Sequence, residues 1–517
     1  MSTSEEDVIK MEEMSPENRN DSESTPPGSK ITRLPPELIS QVFQHLRDNP
    51  KSISPKELND LCNLRRACKY FATIGTEYTI RTVLQKLNGD WTRLAIFFTR
   101  RDLERLRNLS REPGLKHMAD KIRSIFFVSW AANPDMAADI DKYYESTLRY
   151  ESGPWMPSKN KHPPIDLSPC AREAWCQRFR DLVDEQEALK PQISALLQEV
   201  LPSLPGLMSF YYRSGGLGGH PASRSLHTSL SPLCPQTAYD RQKGWNKIQR
   251  PGHDVELLYL FLRAFIKQET TLRTMTLSYL DWSFFHVKNK HGLPKILENY
   301  LFWDLYHFEL WINNSFSAID RSTGCKWKEE SGKDGNSPGC AHEIVSSGLV
   351  AEFLESMPGL RSLSIHFPGS DYTKKHLNLP APKIDWVIPL DQDWRHLNDL
   401  TIGGVLCTAD DLESLLVTHR RTLRRLKLLH LRLVGSSVRS LLMTLRRELP
   451  RVTKFVIAGL WIGNLDEYGL PVATAAADKW SFTDSMEAKV SKWFVSPRLY
   501  WRGEEDYCPL DDWENGR

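Results

Sequence analysis

Residues 352–365 read EFLESMPGLRSLSI, and residues 199–212 read EVLPSLPGLMSFYY. Both stretches contain the end of an apolar helical pattern, a Pro-Gly break, and then apolar residues at the spacing L-x-x-L-x-L. The Pro-Gly pair ends the helix, and the alternating apolar residues that follow predict a strand with one buried face. This unit of helix, turn and strand decides the fold because it recurs along the chain.

The same strand pattern occurs at five further places. Its first positions are Leu272, Leu305, Leu397, Leu423 and Val452. The last three starts are 26 and 29 residues apart, which is within the period of leucine-rich repeats. Helical patterns lie between the strands at residues 255–267, 343–356, 409–419 and 436–448. We therefore expect residues 168–460 to form an irregular leucine-rich-repeat-like solenoid. A parallel sheet of the βαβ type is the alternative that the same alternation allows.

A second informative stretch lies near the N-terminus. Residues 31–46 read ITRLPPELISQVFQHL, and residues 58–74 read LNDLCNLRRACKYFATI. Their apolar residues recur at helical spacing, and the capping box at residues 54–57 begins the second helix. A third helical pattern follows at residues 78–87. Three helices in about 45 residues bury too little surface to be stable alone, so this segment needs a partner.

These residues resemble the F-box, as in F-box proteins of the fungal type. The matching positions are Leu34, Pro35, Pro36, Leu38, Val42, Phe43, Leu46, Leu61, Leu64, Cys68 and Phe71. The resemblance implies that residues 31–75 form a three-helix F-box that docks on the small adaptor subunit of SCF-type (cullin-based) ubiquitin ligases. The matching side chains would carry that contact or the packing behind it. The insert between Leu46 and Leu58 is longer than the usual turn, and an ordinary helical hairpin within a larger core is the alternative interpretation.

Composition completes the predicted domain organisation. Residues 1–30 are acidic and almost free of large apolar side chains, which predicts a disordered arm. Helical patterning continues over residues 76–150 and predicts a helical linker. Residues 461–517 contain several tryptophans and are expected to cap the last repeat. The predicted fold class is thus α/β (α+β), with an N-terminal three-helix F-box followed by an irregular leucine-rich-repeat-like solenoid.

Bulk properties indicate an intracellular protein of the cytoplasm, the nucleus or both. The chain has 517 residues, 40% apolar residues and a net charge of +2, which is ordinary for globular domains and does not favour nucleic acid as a partner. Nine cysteines, an odd number without regular spacing, suit a reducing compartment. We expect no membrane association, because no apolar run is long enough to cross a bilayer and no secretory signal follows Met1.

Motifs for catalysis, metals or cofactors are not found in the sequence. His342-Glu343 begins like a zinc-protease helix, but Ser346 stands where the second histidine ligand is required. We therefore predict no enzyme activity, no metal and no cofactor. The basic cluster at residues 419–427 is interpreted as a solvated helix end and turn, with nuclear import or nucleic-acid binding as the alternative.

The expected function is substrate recognition for an SCF-type ubiquitin ligase. In this interpretation the F-box binds the adaptor subunit and, through it, the cullin, while the repeat domain captures an unknown protein substrate. Candidates for substrate contacts are the aromatic residues near the predicted strands, which are equally compatible with a core position: Tyr211, Tyr212, Trp282, Trp303 and Trp311. The alternative is a non-catalytic scaffold or regulator that acts outside a ubiquitin ligase.

Overall fold

A computed structural model describes the chain over a set of separate ranges. These are residue 41 and residues 92–129, 131–132, 169–214, 253–280, 282–285, 293–312, 346–367, 381–466, 478–482, 484–496 and 508–511. The chain divides between Thr82 and Val83 into two units. All of the described residues except Gln41 belong to the second unit.

The described residues contain twelve strands. They are β1 Arg93–Phe97, β2 Ser124–Val128, β3 Ser209–Arg213, β4 Thr274–Leu280, β5 His307–Ile312, β6 Ser362–His366, β7 Asp399–Gly403, β8 Leu406–Thr408, β9 Arg425–Leu429, β10 Arg432–Val434, β11 Lys454–Leu465 and β12 Asp478–Phe482.

Helices lie between the strands. The α-helices are α1 Arg100–Arg111, α2 Lys116–Ala119, α3 Pro169–Leu189, α4 Ile193–Val200, α5 His253–Lys267, α6 Leu293–Leu297, α7 Leu349–Glu355, α8 Ile384–Val387, α9 Ala409–Thr418, α10 Val438–Glu448 and α11 Asp484–Val495. The 3₁₀ helices are Pro113–Leu115, Lys190–Gln192, Leu201–Ser203, Trp282–Phe285 and Tyr300–Phe302. A capping box fixes the start of α9: Asp411 N–H donates to Thr408 Oγ1, and Asp411 Oδ2 accepts from Thr408 N–H.

The strands form one sheet in the order β1-β2-β3-β4-β5-β6-β7-β9-β11-β10-β8, with β12 paired to β11. Every pairing along this order is parallel, and only β12 runs antiparallel to its neighbour. The long β11 pairs with β9 through residues 454–458 and with β10 through its C-terminal half. Strands that are consecutive in the chain are therefore neighbours from β1 to β7.

Helices cover one face of the sheet and form the core with it. The strand residues at the repeated apolar positions are buried; on β5, for example, these are Phe308 and Leu310. The ring of Phe353 from α7 meets Phe308 at 5.4 Å, and the ring of Phe261 from α5 meets Phe210 of β3 at 5.1 Å. Because side chains alternate along a strand, the residues between these positions point to the opposite face, which we call the outer face.

The turns before the strands are stacked on one another by backbone hydrogen bonds. Arg361 N–H donates to Tyr306 O at 2.8 Å, Asn398 N–H to Arg361 O at 2.9 Å, and Arg424 N–H to Asn398 O at 2.9 Å. Gly359 of the Pro-Gly break allows this close stacking, because a Cβ atom there would lie 2.8 Å from the carbonyl oxygen of the preceding turn. The Pro-Gly signal in the sequence therefore has a packing cause.

The predicted fold class is wrong. The described residues form a twelve-stranded, largely parallel α/β sheet with a helical layer, and no three-helix F-box followed by a solenoid is visible among them. Segment 31–75 lies outside the described residues apart from Gln41. The L-x-x-L-x-L pattern reflects which strand side chains are buried under helices. Any parallel sheet with one helical layer produces the same alternation, so the pattern does not distinguish such a sheet from a solenoid of repeats.

The predicted strand positions are confirmed, but some strands were not predicted. All seven stretches with the repeated apolar spacing contain a strand, from β3 to β11. The helices predicted near residues 255–267, 409–419 and 436–448 are confirmed as α5, α9 and α10. By contrast, strands β1 and β2 lie within residues 76–150, where the sequence predicted only helices. Both strands have nearly continuous apolar runs, which carry no clear period.

Candidate functional site

A row of aromatic and cationic side chains crosses the outer face at the C-terminal ends of four neighbouring strands. We call it the aromatic row, and it consists of Arg213 of β3, Tyr279 of β4, Trp311 of β5 and His366 of β6. At about 4.8 Å per strand, the row is about 14 Å long. Among the described residues, its Trp311 is the tryptophan of a strand that is exposed, with 36% of its surface accessible to solvent.

The members of the aromatic row contact one another in series. The guanidinium carbon of Arg213 lies 4.9 Å from the centre of the Tyr279 ring. The Tyr279 and Trp311 ring centres are 6.4 Å apart, and Trp311 stacks on His366 with ring centres 3.9 Å apart and planes 26° apart. Cation–π and stacked contacts of this kind fix ring positions before any ligand arrives. The row is therefore a preorganised π surface.

Polar side chains of the same face hold the row in place. Trp311 Nε1 donates to Glu309 Oε1 at 2.5 Å, and Thr276 Oγ1 donates to Glu309 Oε2 at 3.4 Å. Ser364 Oγ and His366 Nε2 are 3.0 Å apart, which is hydrogen-bond distance. The carboxylate thus orients the indole ring, and the hydroxyl orients the imidazole ring.

The electrostatics keep His366 neutral. Burial is the largest cause that lowers the pKa of His366 from 6.5 to about 4, and the positive charges of Lys427 and His430 lower it further. At neutral pH the imidazole is uncharged, so its stacking on Trp311 is a contact between two neutral rings. Burial also lowers the pKa of the Arg213 guanidinium from its ordinary value, and Tyr279 opposes this shift.

An irregularity in β4 brings Tyr279 into the row. The register between β4 and β5 shifts between Leu277 and Leu280, and Tyr279 between them has φ of +59°. A positive φ is unfavourable for a residue with a bulky side chain, and such bulges redirect side chains near functional sites. Without the shift, strict alternation would not place Tyr279 between Arg213 and Trp311.

A smaller aromatic group lies on β2 and β3. The guanidinium carbon of Arg93 is 4.6 Å from the centre of the Tyr211 ring, and Phe126 lies 6.5 Å from it. Phe126 and Tyr211 are register partners, as are Tyr211 and Thr276. The outer face therefore presents aromatic surface over several strands.

The five aromatic candidates from the sequence have different positions. Tyr211 and Trp311 lie on the outer face. Tyr212 is fully buried and stacks on Phe127 at 5.9 Å, which is the core position that the sequence left open for it. Trp303 is 55% exposed and packs edge-on against Tyr300, outside the aromatic row. The backbone of Trp282 belongs to a 3₁₀ helix. The structure does not bring these five residues together.

The predicted adaptor-binding residues of the F-box-like segment lie outside the described residues. They are Leu34, Pro35, Pro36, Leu38, Val42, Phe43, Leu46, Leu61, Leu64, Cys68 and Phe71. The assignment of these positions therefore stays a prediction from the sequence.

Sequence reasoning missed Arg213, Tyr279, Glu309 and His366. The sequence marks three of them, Arg213, Glu309 and His366, as outer-face residues. Each directly follows an apolar position of the repeated strand pattern, and side chains at such positions point to the outer face. For Tyr279 no signal existed, because its position depends on the register shift in β4.

Within the ranges that the structure describes, no group of three or more His, Cys, Asp or Glu side chains is arranged to hold a metal ion. None of the helices in those ranges is long and apolar enough to cross a membrane.

Comparison with known proteins does not assign this chain to a family. No model of a known protein family matches the chain, and a search of curated proteins found no match. The aromatic row on the outer face is the candidate site because it joins aromatic and cationic side chains in one continuous series.

Proposed function

We propose that this chain is a substrate-recognition adaptor of an SCF-type ubiquitin ligase. In this proposal the F-box-like residues 31–75 bind the adaptor subunit and thereby the cullin, and the outer face binds a protein substrate. The chain itself supplies no catalytic group, and it acts in the cytoplasm, the nucleus or both. The F-box resemblance of residues 34–71 supports the ligase assignment.

The aromatic row is the observation that carries the substrate-binding part of the proposal. Tryptophan, tyrosine and arginine are the residues most enriched among binding hot spots, and the row joins Trp311, Tyr279 and Arg213. Trp311 is exposed, yet its ring is held by His366 and by Glu309. A ring already fixed in position loses little conformational entropy on binding.

The proposed mechanism is proximity. A substrate held on the outer face is kept near the conjugating enzyme that the rest of the ligase recruits. Tethering raises the effective concentration of substrate lysines to about the millimolar range when the connection is short, and correct orientation lowers the barrier further. No acid, base or nucleophile of this chain takes part in the transfer.

The test is affinity capture of the tagged chain from an extract of its own cells, together with two variants. Pro36→Ala combined with Leu38→Ala is expected to abolish recovery of the adaptor subunit and the cullin while leaving substrate capture intact. Trp311→Ala is expected to do the reverse, because truncation of a hot-spot tryptophan costs about 2 kcal/mol or more, which is about 30-fold in affinity.

Trp303→Ala is the matched control for the tryptophan variant. This side chain is also exposed but lies outside the aromatic row, so its removal is expected to preserve substrate capture. Recovery of the adaptor subunit without the cullin would instead support a scaffold that acts outside a ligase. Failure of the intact chain to bind purified adaptor subunit would refute the ligase assignment, and equal losses with Trp303→Ala and Trp311→Ala would refute the role of the row.

A further inference from the structure

A second surface of the sheet is strongly basic. Seven exposed cationic side chains lie around the N-terminal ends of β9 and β11, and we call them the basic strip. They are Arg420, Arg421, Arg424, Arg425, Lys427, Arg451 and Lys454. The first five are close together in the sequence, and the fold adds Lys454 from the neighbouring strand β11 and Arg451 from the turn before it.

Strand register and side-chain hydrogen bonds set the arrangement of the strip. Arg425 and Lys454 are register partners on β9 and β11, and Lys427 follows two residues after Arg425 on the same outer face. Arg451 Nη1 donates to Arg421 O at 2.9 Å, and Arg424 Nη1 lies 3.5 Å from Arg451 O. Two of the guanidinium groups are therefore oriented by backbone carbonyl groups.

Little negative charge offsets the strip. Among the described residues, one carboxylate pairs with it, since Asp399 Oδ2 lies 2.9 Å from Arg425 Nη2. The nearby Asp393 pairs with Arg395 instead. His419 adds no charge at neutral pH, because its ring is buried and burial lowers its pKa, against a smaller opposing effect of Asp393. Seven cations with one paired acid repel one another, and a bound anion would relieve that repulsion.

We propose that the basic strip binds a segment rich in aspartate and glutamate on a partner protein. Charge complementarity supports this occupant, because carboxylates accept bidentate hydrogen bonds from guanidinium groups. The strip extends over the outer face at Lys427, so an extended segment can lie across the strand ends. The proposal does not depend on a role in a ubiquitin ligase.

Nucleic acid fits this surface less well. Proteins that bind single strands combine cations with aromatic side chains on which bases stack. The outer-face neighbours of Lys427 on β7 and β11 are Thr401 and Val456, and the aromatic row begins one strand beyond β7, at His366 of β6. The net charge of the whole chain is +2, and nucleic-acid-binding domains are usually strongly basic.

The test is fluorescence anisotropy of the full chain with a labelled ten-residue peptide of alternating glutamate and aspartate. The intact chain is expected to bind at low salt and to weaken as salt rises, because salt screens exposed charges. The triple variant Arg420→Gln, Lys427→Gln, Lys454→Gln is expected to bind about tenfold more weakly, since each exposed ion pair contributes a factor of about two to three. A peptide of glutamine and asparagine is expected not to bind.

The matched control removes three exposed cations elsewhere: Arg101→Gln, Lys116→Gln, Lys479→Gln. It is expected to bind the acidic peptide with less than a twofold change. Circular dichroism verifies the fold of both triple variants, and if the strip variant does not fold, Lys427→Gln alone is expected to weaken binding two- to threefold.

Three results would overturn the proposal. The first is that the intact chain does not bind the acidic peptide. The second is that the control variant loses as much affinity for the peptide as the strip variant does. Tighter binding of a labelled single-stranded RNA of ten uridines, with the same loss in the strip variant, would assign the strip to nucleic acid instead.

Discussion

The protein is expected to lose stability in mildly acidic solution because His366 is held neutral. Burial, followed by the charges of Lys427 and His430, lowers its pKa from 6.5 to about 4 in the folded state. Below pH 6.5 the unfolded chain binds a proton at this histidine that the folded chain does not bind. The contribution to stability is therefore complete above pH 6.5 and is lost as the pH falls from 6.5 to about 4.

The size of this effect follows from the two pKa values. Over the whole window the free energy of unfolding falls by about 3 kcal/mol. At pH 5 the unfolded histidine is almost fully protonated and the folded one about one-tenth protonated, so the expected loss is about 2 kcal/mol. A loss of this size is a substantial part of the stability of an ordinary domain.

Urea unfolding at pH 7.5 and pH 5 measures the effect in the intact chain, in His366→Asn and in Lys427→Gln. The free energy of unfolding of the intact chain is expected to fall by about 2 kcal/mol more than that of His366→Asn. For Lys427→Gln the loss of unfolding free energy between pH 7.5 and pH 5 is expected to be intermediate, because this variant removes a charge that lowers the pKa of His366. Equal pH dependence of the intact chain and His366→Asn would refute this reasoning.

Three further predictions concern the core, a helix cap and a turn. Phe353→Ala is expected to lower the free energy of unfolding by about 4 kcal/mol in urea titrations, and Phe353→Leu by much less, because the ring is fully buried within 6.0 Å of four aromatic ring centres. Thr408→Ala is expected to cost about 1 kcal/mol, measured in the same way, because it removes the capping box of α9; no change would mean that the cap is not stabilising. Gly404→Ala is expected to lower the melting temperature more than Gly435→Ala. Both glycines have positive φ, but only at Gly404 would the new Cβ lie 2.4 Å from a carbonyl oxygen, and the reverse order would contradict the packing.

Strand positions could be predicted where burial is one-sided. On β5 and β6 buried apolar residues alternate with outer-face residues that are polar apart from Trp311, and this period of two identifies a strand. On β1 four of five residues are buried, so its run RLAIF has no period that distinguishes a strand from a helix. The sequence pattern also did not determine the order of the strands in the sheet, because pairing between segments far apart in the chain produces no local sequence signal.

The candidate site was only partly predictable for a related reason. Tyr211 and Tyr212 are adjacent, and the L-x-x-L-x-L spacing that begins at Leu207 already assigns Tyr212 to the buried side. Applied consistently, the same rule places Trp311 on the outer face. The contact between Tyr279 and Trp311 depends on a register shift, which no local sequence signal marks.

The order of the strands has a consequence for how the protein is made. From β1 to β7 each strand pairs with the strand synthesised just before it, so the sheet can lengthen at one edge while the ribosome is still working. Growth of this kind needs no earlier strand to separate and admit a later one. The C-terminal end of the sheet forms differently. Because β11 pairs with both β9 and β10, it must be synthesised before these two strands can be connected in the sheet. A ribosome that stalls before β11 therefore leaves the exposed edge of β9 open to pairing with other chains.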